Sequence, residues 1–233
     1  MENDMTTRIT ITSDFLCPWC YLAEARLLKV IDECGDAVDV ELSWRPFELN
    51  PNMPEEGMGR KEYRSRKFGW ERSQMMDAQL EAIGKADGLA FDFSSINRAP
   101  NTRLAHRLLT FTERNGQATN YARKVFQAYF ERGLDIGSPQ VLMDIIESLG
   151  LERSAAEQYL NSGKGLADVI AAEQAAAHEG ISGVPRIQIG NYLINGAQAA
   201  SVMKEALLLA AGRPKASAIS GIDGEKPEIR SSR

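Results

Sequence analysis

The run CPWC at residues 17–20 constrains this chain more than any other feature of its sequence. Residues 8–12 (RITIT), just before it, are rich in β-branched side chains and predict a short strand. After the run, apolar residues recur at helical spacing to about residue 33. Pro18 suits the first turn of that helix, because the amide at this position would have no partner. The two cysteines are therefore expected at a turn from a strand into a helix.

Cysteines at such a turn favour thiol–disulfide chemistry, because a helix N-terminus stabilises a thiolate. We expect Cys17 to face solvent and to attack first, and Cys20, one turn inward, to resolve the mixed disulfide. Two other interpretations are half of a zinc site and a pair of inert core cysteines. Zinc needs four ligands. The remaining candidates are Cys34, His106 and His178, which include no second pair of cysteines. We predict a redox motif and no metal site.

The rest of the chain divides into a small α/β part and a long helical block. Residues 38–44 alternate apolar and polar side chains, which predicts a second strand. Helical patterns then fill most of residues 60–178, beginning with a charged, Met-containing stretch at residues 60–85. Strand patterns are absent from this block, so the sequence predicts that it is entirely helical.

Strand patterns return late in the chain. Residues 185–189 and 192–194 flank Gly190-Asn191 and predict a hairpin with a two-residue turn, and a last apolar helix follows. The order β-α-β, helices, β-β-α predicts an α/β fold interrupted by a helical insertion. We expect three parts: a discontinuous α/β domain of residues 1–59 and 179–212, an inserted helical domain of residues 60–178, and a disordered tail of residues 213–233. The last helix of the inserted domain is expected to pack with the α/β domain.

Composition excludes several classes of protein. The 233 residues are 43% hydrophobic, enough to build a core without disulfides as supports. A net charge of −5 does not supply the basic face of a nucleic-acid binder, and no run approaches the roughly 18 apolar residues of a membrane span. Residues 1–8 carry no secretory signal, so we expect a cytoplasmic protein. Three cysteines in such a protein do not predict a structural disulfide framework.

The run Gly183-Val184-Pro185, just ahead of the predicted hairpin, is the second informative segment. The simplest interpretation is that the proline only marks the start of a strand, because proline is tolerated at the first residue of a strand. A bond before proline is also one of the few that adopts the cis form at low cost. We expect the Val184–Pro185 bond to be cis and to shape a groove beside the cysteines.

Several runs, taken in order, make the chain resemble a known superfamily over nearly all of residues 8–212. The runs are SDFLCPWCY at 13–21, WRPFELNP at 44–51, Asn101-Thr102 with AHRL at 105–108, GVP at 183–185 and NGAQ at 195–198. They resemble the thioredoxin superfamily, its DsbA-like branch and most closely the FrnE-like oxidoreductases. The resemblance implies a thioredoxin-like fold with a large all-helical insertion.

The resemblance also implies roles for the residues around the cysteines. Cys17 would be the nucleophile and Cys20 the resolving cysteine. Pro185 would be a cis proline that packs against them. Pro18 and Trp19 would tune the redox potential, because the residues between the two cysteines change how well the thiolate is stabilised.

Further positions are expected at the groove or close to it. Main-chain contacts at Val184 would hold an extended peptide or glutathione. Asn101 and His106 open a helix that relatives display near the cleft, so they are candidates for substrate contact; a helix cap and a half-buried histidine explain them equally well. Many thioredoxin-like proteins carry a buried carboxylate six residues before the first cysteine, where this chain has Ile11. The nearer Asp14 is expected to shape a turn.

We predict a protein disulfide oxidoreductase, with isomerase activity left open, that needs no metal or organic cofactor. Glutathione is a candidate co-substrate. The partners would be thiols and disulfides of proteins or small molecules, neither nucleic acid nor a membrane, and a homodimer is left open. Glutathione keeps cytoplasmic thiols reduced, which favours reduction, isomerisation or repair over the oxidation of clients.

Two rival functions are also consistent with the sequence. Hydroxychromene-carboxylate isomerases and kappa-class glutathione transferases resemble this chain in the insertion, in GVP and in the final GAQ-type segment. They typically have serine where this chain has Cys17, so the pair of cysteines favours the oxidoreductase. The third candidate is a redox-inactive module that holds unfolded clients on its insertion, and its activity would survive replacement of both cysteines.

Overall fold

The computed structural model describes residues 6–212, and its main sheet has four strands in the order β2-β1-β5-β6. β1 (Thr7–Ser13) runs parallel to β2 (Val40–Pro46). β5 (Arg186–Ile189) is antiparallel both to β1 and to β6 (Tyr192–Asn195). The predicted hairpin is confirmed, and its turn passes through Gly190 at a φ of 53°.

Helix α1 (Pro18–Cys34) follows β1 and packs against the last described helix, α9 (Ala200–Ala210). Cys17 is the N-cap of α1, and the proline after it is the first helical residue, as the sequence predicts. Gly35 ends the helix at a φ of 49°, a conformation that residues with a Cβ rarely adopt. The aliphatic residues of α1 that are buried are Leu22, Ala23, Leu27 and Val30.

Between β2 and β5 the described chain forms seven helices and one short ladder. The helices are α2 (Arg60–Phe68), α3 (Trp70–Ala86), α4 (Arg103–Glu113), α5 (Ala118–Phe130), α6 (Pro139–Ser148), α7 (Arg153–Asn161) and α8 (Leu166–His178). The helical stretch expected over residues 60–85 is confirmed, and it forms two helices because Gly69 breaks it at a φ of 80°. The ladder, which was not predicted, pairs β3 (Met58–Gly59) with β4 (Arg98–Ala99) against α2.

The helical block shares its hydrophobic core with the sheet. Helices α4, α5 and α8 pack against β2, where Nε1 of Trp44 donates to Oγ1 of Thr119 at 3.1 Å. Tyr21 on α1 stacks on Phe126 and Phe130 of α5, with ring centroids 5.3 and 6.1 Å apart. Burial of these rings ties the first turns of α1 to the block. The α/β fold with a large helical insertion is confirmed.

Two expectations about the chain as a whole remain. The division into a discontinuous domain and an inserted one stays a prediction, and the predicted tail at residues 213–233 lies outside the described residues. Among the helices of residues 6–212, none combines the length and the apolar character that crossing a membrane requires.

Candidate active site

Cys17 lies at the junction between β1 and α1. Its amide donates to the carbonyl oxygen of Asp14 at 3.1 Å, so a tight turn places it at the N-cap of the helix. Its Sγ lies 3.6 Å from the carbonyl oxygen of Val184, to which the thiol donates. The first amides of a helix have no carbonyl partner within it, and such a position favours a thiolate.

The expectation that Cys17 faces solvent is wrong. Only 5% of the residue is exposed, and the Val184 carbonyl lies against its sulfur. Cys17 instead lines a cavity. The segments that cover it are far away in the sequence, so the local motif does not reveal them.

Cys20 lies one turn further along α1 and is 1% exposed. Burial raises the pKa of its thiol well above the ordinary value. A hydrogen bond with Cys17 raises this pKa further, and the nearby Ser13 hydroxyl offsets part of the rise. Both thiols are free, as is that of Cys34 at the far end of α1. The pair is therefore asymmetric, with one sulfur at a cavity wall and the other sealed in the core.

The loop before β5 supplies the residue that faces the cysteines. The Val184–Pro185 bond is cis, as predicted. Pro185 is buried, and its carbonyl oxygen accepts from the amide of Gly196 at 2.8 Å. The fold thus holds the Val184 carbonyl against Cys17, although 167 positions separate the two in sequence.

A cavity of about 490 Å³ opens beside Cys17, between the α/β part and helices α2, α3 and α5. The α/β part contributes Leu16, Cys17, Pro18, Trp19 and Val184, and the helical block contributes Arg60, Tyr63, Arg64, Lys67, Phe68, Leu80, Phe93 and Phe130. Pro18, Trp19 and Val184 therefore lie where the resemblance predicts a groove. Pro185 does not line the cavity.

The helical wall of this cavity is basic, and sequence analysis missed it. Arg60, Arg64 and Lys67 all line the cavity from α2. Their spacing of i, i+4 and i+7 places them on one face of a helix, and that signal was present in the sequence. A run of charge in a helix is usually a solvated face, so the spacing alone does not point to the cysteines.

Asp14 and His106 join the motif to the block. The Asp14 carboxylate accepts from the amides of Leu16 and Leu49 at 3.2 and 2.7 Å, which confirms the turn expected there. Its Oδ1 also lies 3.3 Å from Nε2 of His106, and both side chains are buried. The ring of His106 packs on Phe15 with centroids 4.9 Å apart. His106 does not line the cavity beside Cys17, and its contacts hold the loop before the cysteines.

Asn101 is buried at the start of α4. Its Nδ2 donates to the carbonyl oxygen of Met53 at 2.7 Å, and its Oδ1 accepts from the amide of Arg103 at 2.9 Å. The N-cap of α4 is Thr102, so the helix cap expected at Asn101 is wrong. Asn101 instead closes a turn just before the helix and ties it to the loop after β2. Its side chain does not line the cavity either, so a role in substrate contact stays a prediction.

A buried carboxyl group lies in α1 rather than in β1. Ile11 occupies the β1 position and is fully packed in the core. Glu24, four residues after Cys20, is also fully buried, and neither of its carboxylate oxygens has a hydrogen-bond partner within residues 6–212. Burial raises the pKa of Glu24 to about 8 against the opposing charge of Arg123. Within the same residues, no group of three or more His, Cys, Asp or Glu side chains is arranged to hold a metal ion.

Comparisons with known proteins agree with this arrangement. Over residues 8–208 the chain matches the family described as DSBA-like thioredoxin domain. A curated relative, the uncharacterised protein YwbO of Bacillus subtilis (strain 168), is 28% identical over 205 residues, which cover 87% of this chain and 96% of YwbO.

Solved structures show the same similarity. The probable DsbA oxidoreductase SCO1869 from Streptomyces coelicolor superposes with a TM-score of 0.80 at 27% identity, covering 95% of this chain and 97% of that one. The cytosolic disulfide reductase DsbM from Pseudomonas aeruginosa superposes with a TM-score of 0.63 at 15% identity, covering 87% and 97%. DsbM has also been solved with GSH. At this identity the likeness to DsbM shows a shared fold.

Proposed function

Because the chain belongs to the DSBA-like thioredoxin domain family, we propose that it is a thiol–disulfide oxidoreductase that works through Cys17 and Cys20. The observation that carries the proposal is the asymmetry of the two thiols. Cys17 lies at the wall of a cavity and contacts the Val184 carbonyl, whereas Cys20 is buried with a raised pKa. A nucleophile needs access to substrate, and a resolving thiol only needs access to the nucleophile.

The reaction in the reducing direction follows from these positions. The Cys17 thiolate attacks one sulfur of a disulfide and forms a mixed disulfide, and the other sulfur leaves as a thiolate that takes up a proton. Cys20 then loses its proton and attacks the Cys17 sulfur, which forms the Cys17–Cys20 disulfide and releases the second thiol. The substrate gains two electrons, and an external thiol such as glutathione returns them to the enzyme.

The residues around the cysteines have separate roles in this proposal. Pro18 and Trp19 lie between the two cysteines and tune the redox potential through the stability of the thiolate. The carbonyl of Val184 faces Cys17 and offers a main-chain partner to a thiol-bearing chain, and Pro185 fixes the loop that presents it. Recognition through main chain suits an enzyme with varied substrates.

The proposed setting is the cytoplasm, and the proposed direction is reduction, isomerisation or repair. Glutathione keeps thiols reduced there, so sustained oxidation of clients is disfavoured. The neighbour DsbM is named a cytosolic disulfide reductase, which supports the same direction, and its complex with GSH supports glutathione as a co-substrate. No metal or organic cofactor takes part in the proposed reaction.

A trapping experiment tests the assignment of the two cysteines. Cys20→Ser should accumulate mixed disulfides with substrate, because the resolving step is lost, and mass spectrometry should locate every adduct on Cys17. Cys17→Ser should accumulate none. The matched control is Cys34→Ser, which removes the third thiol and should leave turnover unchanged. Adducts on Cys20 or Cys34 in the trapping variant would overturn the assignment.

The same variants separate the rival functions. A glutathione-dependent isomerase or transferase needs the cavity but not Cys20, so glutathione conjugation that survives Cys20→Ser would favour that class. A client-holding module would suppress aggregation without either cysteine. If the protein is an oxidoreductase, Cys20→Ser should lose insulin reduction and reactivation of scrambled ribonuclease. Glutathione conjugation should be absent from the unaltered protein and from the variant.

The reduction potential of the Cys17–Cys20 pair tests the direction. Dithiol proteins range from about −270 mV for a reductant such as thioredoxin to about −120 mV for an oxidant such as DsbA. A reductase or an isomerase should equilibrate with glutathione at a potential between about −270 mV and the value of about −180 mV typical of protein disulfide isomerase. A value near that of DsbA would assign the enzyme to oxidation and would contradict the proposed direction.

A further inference from the structure

The basic wall of the cavity holds more positive charge than its protein partners neutralise. The guanidinium groups of Arg60 and Arg64 share one carboxylate, that of Asp77, at 2.7 and 3.0 Å. Both arginine side chains are largely buried, at 10% and 12% exposed. Among the described residues, no other ion pair compensates either arginine. One buried positive charge therefore remains, and Lys67 adds a second at the rim of the cavity.

Contacts with neighbouring side chains fix the cationic groups at the cavity. Nε of Arg64 donates to Oγ of Ser73 at 2.6 Å, and its guanidinium carbon lies 4.8 Å from the ring centroid of Phe68. Nζ of Lys67 donates to the hydroxyl of Tyr63 at 2.9 Å. Burial and the neighbouring Arg60 lower the pKa of Arg64, as expected for a cation that water does not fully solvate. An uncompensated buried charge is costly, and an anion in the cavity would offset that cost.

Cys17 lines the same cavity, so one bound molecule can contact both the charge and the nucleophile. Its volume of about 490 Å³ is in the range of pockets for small molecules. Trp19, Phe68 and Phe93 give it apolar walls. Such a cavity can take a small compound or one side chain, but not a folded client.

We propose that this cavity binds small disulfides that carry a carboxylate, with the carboxylate at Arg60, Arg64 and Lys67 and one sulfur at Cys17. The inference rests on the proposed thiol–disulfide function and names its substrate class. Guanidinium groups bind carboxylates through charge-assisted hydrogen bonds, which orient the substrate as well as attract it. Cys17 attacks the sulfur that the bound carboxylate positions, the other half leaves as a thiol, and Cys20 releases the bound half as the Cys17–Cys20 disulfide forms.

The first test uses the unaltered protein and a series of disulfides that differ in charge. The pre-reduced enzyme is mixed with dithiodipropionate, which is anionic, hydroxyethyl disulfide, which is neutral, and cystamine, which is cationic. Each rate is divided by the rate of the same disulfide with dithiothreitol, which removes intrinsic reactivity. The normalised rates should fall in the order anionic, neutral, cationic, and added salt should narrow the difference. Equal normalised rates would overturn the substrate class.

The second test compares two arginines of the same helix. Arg64→Gln should lower the normalised rate with dithiodipropionate about tenfold, the effect of losing one charge-assisted hydrogen bond, and should leave the neutral disulfide unaffected. Arg66→Gln is the matched control, because Arg66 is 67% exposed and pairs with Glu62 on the surface. It removes the same charge from α2 and should change neither rate. Equal loss in both variants would show a general field effect and would contradict a site at Arg64.

The outcomes distinguish this inference from the function on which it rests. If the Cys17–Cys20 disulfide forms with every reagent at the same normalised rate, the oxidoreductase stands and the substrate class is wrong. If no reagent produces that disulfide, the proposed function itself fails. If Arg64→Gln does not fold, which its unfolding curve would show, the charge series on the unaltered protein still decides the inference.

Discussion

The two walls of the cavity beside Cys17 come from different parts of the chain and supply different chemistry. The α/β wall supplies the sulfur, the helix N-terminus and the Val184 carbonyl, and it carries no charged side chain. The helical wall supplies charge and aromatic surface, including Arg60, Arg64 and Phe68, and no cysteine. In this account the first wall performs the reaction, and the second selects what reaches it.

This difference explains why the α/β wall could be predicted from the sequence and the helical wall could not. The reaction depends on two cysteines three positions apart at the start of a helix, and a local sequence motif is enough to identify such an arrangement. The selecting wall depends on how α2 packs, and that arrangement is fixed by contacts with residues many positions away, such as Asp77 on the next helix. A selecting wall of this kind can also differ between relatives that keep the same cysteines.

The largest expected effect separates the two walls by function. Cys17→Ser should reduce disulfide turnover to the uncatalysed rate and leave the urea unfolding midpoint close to that of the unaltered protein, because the change replaces one small buried side chain with another. Insulin reduction and urea unfolding check the two parts. Residual turnover well above the uncatalysed rate would show that the reaction does not belong to the α/β wall.

The next effect concerns the stability of the helical wall. Asp77→Asn leaves two buried guanidinium groups without a counter-charge, and breaking a buried pair in this way costs about 3–5 kcal/mol of unfolding free energy. Glu62→Gln is the matched control, since it breaks the exposed pair with Arg66 and should cost about 0.5 kcal/mol or less. Urea unfolding at neutral pH measures both. Similar costs for the two variants would mean that the arginines of the wall are solvated.

A smaller effect, which depends on pH, tests the α/β side. Glu24 binds its proton more tightly in the folded protein, with a pKa of about 8, than in the unfolded chain, so its ionisation opposes folding. Its contribution to stability is fully present below the unfolded value of 4.5 and is lost as pH rises through about 8. Glu24→Gln should therefore gain stability relative to the unaltered protein as pH rises. The difference in unfolding free energy between the two proteins should be larger at pH 8 than at pH 5 by on the order of a few kcal/mol.

The matched control for this prediction is Glu33→Gln on the same helix. Glu33 is 45% exposed and its pKa is lowered by Lys204, so its replacement should not reproduce the gain at high pH. Urea unfolding at several pH values compares the three proteins. A Glu24→Gln variant whose stability follows that of the unaltered protein at every pH would show that the carboxyl group is hydrated.

The smallest effect tests the tie between the two walls. The hydroxyl of Tyr21 on α1 donates to Oε1 of Glu131, just after α5, at 2.7 Å. Tyr21→Phe keeps the ring stacking and loses this bond, so it should cost about 1 kcal/mol of unfolding free energy. Tyr192→Phe, at a tyrosine that is 40% exposed, should cost less. A Tyr21→Phe variant with unchanged stability would mean that the hydrogen bond adds nothing to the ring contacts.

The elements that could be predicted from the sequence are those with a local signal. The start of α1 at Pro18 follows from proline chemistry, the late hairpin follows from Gly190-Asn191, and the cis bond at Val184 was expected from the run that contains it. The ladder of β3 and β4 could not be predicted, because two residues per strand show no alternation. The coverage of Cys17 depends on long-range packing, which no local pattern records.

Competitive alkylation of the three thiols of the reduced protein at mildly acidic pH, with the labelled residues identified by mass spectrometry, tests the roles of Cys17 and Cys20 most directly. Cys17 should react first, because it alone combines a helix N-terminus with a cavity wall. Cys34 should react more slowly, since the C-terminal end of a helix disfavours an anion, and Cys20 should be slowest because it is buried and its pKa is raised. Faster labelling of Cys20 or Cys34 than of Cys17 would contradict the account.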